Sequence, residues 1–277
     1  MEPLQQTAQP SPNGATAPTP VDGAPPDRPP KPPRVLILVR HGEATFNVEK
    51  RLPGQLDGIP LTEEGRRQAY RAAVALSALP IGAVISSPLE RAHETATIIA
   101  RGFGLPVRED ARLKDLDVGP WSGKSIDELN KTDPHWKAFV EHPSEPPEGV
   151  EGFPSVQARA VAAIEDVRRD ESLGSYVVLV AHADVIKLIL AHYTAMTTDC
   201  ARLIAIGNAA ISALAFGDEP TPHLLAVNWT AFPGWLFPQP HQPPQQAAEK
   251  ATETHGGIPA ETEPPADAGA PLGERRD

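Results

Sequence analysis

The chain has 277 residues, a hydrophobic fraction of 40% and a net charge of −11, enough length and apolar content for one large domain or two small ones. The negative balance excludes broad affinity for nucleic acid or an anionic membrane, so an anionic ligand must be met by a local cluster of basic groups. One cysteine, Cys200, rules out an internal disulfide and fits a reducing compartment; nothing around it resembles a catalytic thiol, and it reads as buried or inert. No stretch is apolar and long enough to span a bilayer, and MEPLQQTAQPSPNGATAPTP lacks the basic start and apolar block of a signal peptide, so a cytoplasmic location is expected.

Residues 1–33 and those from about 236 onward are rich in Pro, Ala, Thr, Gln and Glu and poor in large apolar side chains. Such segments bury too little surface to offset their ordering entropy, and both are expected to be disordered tails around a domain over 34–235. PPDRPPKPPR (25–34) has the makings of a polyproline II ligand with basic flanks, though a solvated spacer is the simpler reading.

Within the domain, Val35-Leu36-Ile37-Leu38-Val39 reads as a buried strand running straight into Arg40 and His41. The stretch 61–79 has apolar residues at 69, 72, 73, 76 and 79 and predicts a helix. Ala83-Val84-Ile85 is a short strand. It is followed by Ser87-Pro88-Leu89-Glu90, which reads as a helix start with Ser87 as cap; that helix runs to about 101. Positions 156, 160, 163, 164 and 167 mark a helix over 153–170. Tyr176 to Val180 is a second buried strand, and a helix follows from about Asp184, its expected cap, to 195. Residues 209–216 and 223–227 close the chain as strands. Strands alternating with helices imply an α/β fold: a three-layer α/β/α sandwich on a mostly parallel sheet.

Three strands end in chemistry. One leads to Arg40-His41, the second to Ser86-Ser87 with Arg91 a turn later, and YVVLVAHAD leads to His182. In a parallel sheet these ends share one edge, where open α/β sheets bind ligands. Arginine forks bind phosphate oxygens in pairs, helix N-termini add backbone donors, and a histidine is able to take a phosphoryl group as nucleophile. If the arginines carry the charge, no metal is needed, but a leaving oxygen needs a nearby acid. His135, His142, His192 and His223 show no metal-ligand spacing, and neither metal nor cofactor is expected.

Six segments carry a resemblance. They are Leu38-Val39-Arg40-His41-Gly42-Glu43 with Asn47, GQLDGIPLTEEGRRQA (54–69), SSPLERAHETA (86–96), LKDLDVGPWSG (113–123), GVEGFPSVQAR (149–159) and VAHADVIKLIL (180–190). In this order they resemble the histidine phosphatase superfamily, the phosphoglycerate mutase-like fold, over about 34–216. The resemblance implies His41 as nucleophile forming a phosphohistidine, with Arg40, Arg91 and His182 on the phosphoryl oxygens and Asn47 in support. The family's acid, usually a glutamate, falls at Asp115, one methylene shorter. Asp184 is the alternative acid. Glu43 is expected to hold loop backbone and Arg40, and His93 to lie at a rim.

The implied activity is metal-free hydrolysis of a small phosphate ester. The alternatives are mutase-type transfer, disfavoured because only about 30 residues separate Gly123 from Phe153, and a non-catalytic phospholigand-binding protein. The stretch 124–150, with Trp136 and flanked by Trp121, is a candidate lid that selects the ester, or ordinary loop packing. The partner is a small molecule; neither nucleic acid nor membrane is expected, and oligomeric state has no signature in the sequence.

Overall fold

The structure is a computed structural model and describes residues 33–219 and 221–231. The two tails expected to be disordered, and with them nearly all of PPDRPPKPPR, lie outside the described residues.

The apolar run after Pro33 forms β1 (Arg34–Arg40), whose residues 35–39 are all buried. It is the centre of the sheet. Burial on both faces is what lets an uninterrupted apolar run serve as a strand. The sheet also contains β2 (Ile81–Ser86), β3 (Val107–Glu109), β4 (Tyr176–Ala181), β5 (Ile211–Phe216) and β6 (His223–Trp229), in the order β3-β2-β4-β1-β5-β6. The first four are mutually parallel; β5 pairs antiparallel to β1, and β6 antiparallel to β5. The mostly parallel expectation holds, with an antiparallel pair at one edge.

Alternation along β1 divides the core. Leu36 and Leu38 face α6 (Phe153–Arg169) and α7 (Ala183–Tyr193), through residues such as Val156, Ala160, Ile164 and Ile189. Val35, Ile37 and Val39 face α2 (Glu63–Leu76) and α3 (Glu90–Arg101), through Ala72, Leu76, Ala96 and Ile99. This is the three-layer α/β/α sandwich. A short helix, α1 (Thr45–Val48), follows the β1 loop.

Two helix starts differ from expectation. Ser87 does not occupy the cap position of α3, which Leu89 takes; the Ser87 hydroxyl accepts from Leu89 N at 3.3 Å and also meets His182. Asp184 does not cap α7. His182 occupies the cap position, and Asp184 sits inside the first turn with its carboxylate on Lys187 Nζ at 2.9 Å.

The stretch 124–150 is not an irregular loop. It forms α4 (Ile126–Thr132) and α5 (Pro134–Glu141), hinged on Asp133. The Asp133 carboxylate accepts from His135 N, Trp136 N and Trp121 Nε1, and its pKa is lowered by these bonds. Trp121 and Trp136 meet edge to face at 5.3 Å, and Phe139 and Phe153 complete the cluster.

Candidate active site

The carboxyl ends of β1, β2 and β4 bring the expected residues to one edge of the sheet. His41 leaves β1 with 3% exposure, His182 leaves β4 fully buried, and Arg91 on the first turn of α3 is 1% exposed. The two imidazole rings lie 5.2 Å apart. The loop after β1 is pressed against α2: a Cβ at Gly42 would stand 2.4 Å from the Gly65 carbonyl oxygen, so only glycine fits. The Gly42 N–H donates to Thr95 Oγ1 on α3, and the His41 carbonyl accepts from Ala209 N at 3.1 Å. The nucleophile candidate is therefore fixed from α2, α3 and the segment before β5.

His41 Nδ1 is 2.7 Å from the Gly42 carbonyl oxygen. A carbonyl only accepts, so Nδ1 carries the hydrogen and Nε2 keeps a lone pair. Burial, then the charges of His182, Arg40 and Arg91, push the His41 pKa well below the ordinary histidine value. The ring is neutral at neutral pH and nucleophilic at Nε2. His182 is shifted the same way, by burial first and then by Arg91 and Arg40. Its Nε2 is 2.9 Å from Ser87 Oγ, which turns Nδ1 toward Asp115 Oδ2 at 3.4 Å.

Buried nitrogens are normally paired within the protein, since an unpaired one loses its water for nothing in return. Among the described residues, the buried side-chain polar atoms without a hydrogen-bond partner are Arg40 Nε, Arg91 Nε, Arg91 Nη1 and His182 Nδ1. All four belong to the three residues around His41. The remaining arginine contacts hold the forks still: Arg40 Nη1 donates to the Ile206 carbonyl at 2.7 Å, and Arg91 Nη2 to the Gly54 carbonyl and Asp115 Oδ2, both at 2.9 Å. Unsatisfied donors on fixed guanidinium groups suit an anion with several oxygens. No three His, Cys, Asp or Glu side chains among the described residues are grouped as a metal site requires.

Comparison with known proteins agrees with this geometry. The profile of the histidine phosphatase superfamily (branch 1) matches residues 36–230. The chain belongs to the histidine phosphatase superfamily. It is 33% identical over 197 residues to a probable phosphoglycerate mutase GpmB of Cronobacter sakazakii, covering 70% of this chain and 89% of that one. A mycobacterial glucosyl-3-phosphoglycerate phosphatase, solved with VO3, superposes with a TM-score of 0.65 at 32% identity, over 71% of this chain and all of that one. Bacillus stearothermophilus YhfR does so with a TM-score of 0.65 at 33% identity, over 70% and 96%.

Within this superfamily fold, the two acid candidates sit differently. Asp115 touches both Arg91 and His182, and its Oδ1 accepts from Leu116 N. Asp184 is paired with Lys187 and lines a cavity that begins at Asp115. Asn47 Oδ1 accepts from Ala44 N and from Asn208 Nδ2, an arrangement that fixes its amide. Glu43 does not hold Arg40, as had been expected; its carboxylate accepts from Thr62 Oγ1 at 2.7 Å, at the cap of α2. His93 faces Glu109 at 3.4 Å, away from the other histidines. Cys200 is exposed, not buried.

Three supporting residues are not evident from sequence patterning. Ser87 was legible only as a cap, and Asn208, which also donates to the His41 carbonyl, carries no local signature. Arg159 was visible as part of a motif but without a role. It donates to the carbonyls of Arg112, Lys114 and Asp115, and pairs with Glu151, whose pKa is lowered by that bond against the opposing effect of burial.

Proposed function

We propose that the chain hydrolyses small phosphate monoesters through a phosphohistidine on His41, without a metal. The observation that carries this reading is a neutral, buried His41 beside Arg40, Arg91 and His182, four of whose buried nitrogens make no hydrogen bond among the described residues. Arg40, Arg91 and His182 hold the phosphoryl oxygens, with Asn47 in support, and balance the charge that spreads over them in the transition state. His41 Nε2 attacks phosphorus, the N–P bond forms and the P–O ester bond breaks. Asp115 delivers a proton to the departing alcohol oxygen. Water then attacks the phosphohistidine while the Asp115 carboxylate takes its proton, and phosphate leaves.

Asp115 is preferred to Asp184 as the acid because of its place against Arg91 and His182, two of the groups proposed to hold the phosphoryl oxygens. A mutase-type reading is favoured by the naming of the GpmB relatives. The hydrolase reading draws on the short connection between Gly123 and Phe153.

The test is phosphate release from a panel of esters in EDTA, comparing the native chain with His41→Ala. We expect release that survives EDTA and disappears in the variant. Equal release by both, or none by either, overturns the reading. Conversion of 3-phosphoglycerate to its 2-isomer faster than phosphate release would replace it with the mutase.

A further inference from the structure

We infer that the alcohol carried by the natural ester is apolar, a short alkyl or single-ring aryl group, and not a sugar. The inference rests on the phosphatase reading above and concerns the same site.

A cavity of about 280 Å³ adjoins the arginine forks. Gly54 and Asp115 line it, and both of these accept from Arg91 Nη2. A group in the cavity is thus joined directly to a phosphoryl group held by Arg91, with the bridging oxygen next to Asp115. The walls are Leu52, Leu116, Val118, Trp136, Phe139 and Phe153. Trp136 has no polar edge left to offer, because its Nε1 donates to Asn130.

Most polar groups on the walls are engaged within the protein. Asp115 is on Arg91, and Asp184 and Lys187 are on each other. Arg202 is exposed at the mouth. The hydroxyls of a sugar would lose water here and gain few partners, which opposes its binding. An apolar body gains from the same burial. In size, a cavity of about 150 Å³ holds benzene, so this one takes a ring and a short chain.

The test compares kcat/KM for 2-phenylethyl phosphate, glycerol 1-phosphate and 3-phosphoglycerate. All three release a primary alcohol, so differences report binding of the alcohol and not leaving-group reactivity. We expect the phenylethyl ester to lead by about tenfold or more, the scale set by a few buried methylenes. Val140, 45% exposed on the cavity wall, supplies a variant that leaves the core intact. Val140→Asp should remove most of that preference while inhibition by inorganic phosphate, which reports the arginine forks, stays the same. If glycerol phosphate or 3-phosphoglycerate is cleaved as well as the phenylethyl ester, with His41→Ala inactive, the apolar alcohol is wrong and the phosphatase reading stands. A preference that Val140→Asp leaves untouched also overturns the assignment of the cavity. Absence of any His41-dependent release removes the phosphatase reading and this inference with it.

Discussion

Ser87 Oγ lies 2.9 Å from Nε2 of His182, a buried contact between residues 95 positions apart in the chain. It sets the ring so that the other nitrogen, Nδ1, faces Asp115 and the arginines. Ser87→Ala removes the partner and leaves a buried ring nitrogen unpaired. We expect kcat to fall about tenfold, the equivalent of one hydrogen bond, and the fold to lose about 1–3 kcal/mol. Steady-state kinetics beside urea denaturation check this; unchanged kcat would mean that the ring is oriented by other contacts.

The two acid candidates separate by leaving group. Asp115→Asn should lower kcat for an alkyl phosphate by about 10²–10⁴, the usual share of general acid catalysis. The loss should be much smaller for p-nitrophenyl phosphate, whose leaving oxygen needs no proton. Asp184→Asn should change either rate by about threefold or less. The opposite pattern would move the proton to Asp184.

Acid should destabilise the fold earlier than its carboxylates alone would allow. His41 and His182 have pKa values pushed below the ordinary histidine value, by burial and then by neighbouring cationic groups including Arg40 and Arg91. In the unfolded chain both take a proton near pH 6.5; in the folded chain they do not. Their contribution to stability is therefore complete above that pH and shrinks as pH falls, by about 1.4 kcal/mol per pH unit for each histidine, until the folded values are reached. Urea denaturation at pH 7 and pH 5.5 should show the loss, and His41→Asn should reduce the slope. Over the same window, kcat/KM should lack the fall expected of a nucleophile titrating at 6.5.

Arg159 is expected to act through the backbone of Asp115. Its guanidinium reaches three carbonyls, of Arg112, Lys114 and Asp115, and the Glu151 carboxylate. Arg159→Met should cost on the order of 2 kcal/mol of stability, since the lost bonds are to a charged group. It should also reproduce, in weaker form, the leaving-group dependence of Asp115→Asn. Arg159→Lys keeps the charge but not the fork and should fall between native and Met. A uniform loss across esters would assign Arg159 to stability alone.

Continuous apolar runs located β1 and β4, apolar stripes located α2 and α6, a helix-start signal located α3, and a broadly apolar stretch located α7. Such patterning extended less well to short elements. β3 has three residues, and α4 and α5 have seven and eight, too few for a period to repeat. The convergence of Arg40, His41, Arg91 and His182 was legible because strand ends in one parallel sheet share an edge. The helix starts were not. A serine or aspartate near a helix N-terminus looks like a cap, and the sequence does not disclose that the Ser87 hydroxyl also meets His182 or that the Asp184 carboxylate is held by Lys187. The roles of Arg159 and Asn208 depend on contacts between residues far apart in the chain, and local pattern carries no trace of them.

The placement of β1 has a consequence for how the molecule fails. This strand is hydrogen-bonded on both sides, to β4 and to β5, and the bonding continues through His41, whose N–H donates to the Ala181 carbonyl and whose own carbonyl accepts from Ala209. Amides in such a position exchange with solvent only when the whole domain opens, whereas short peripheral helices such as α4 and α5 open at lower free energy. Warming should therefore loosen discrimination among esters before it extinguishes turnover, and the last amides to exchange should be those leading into the nucleophile.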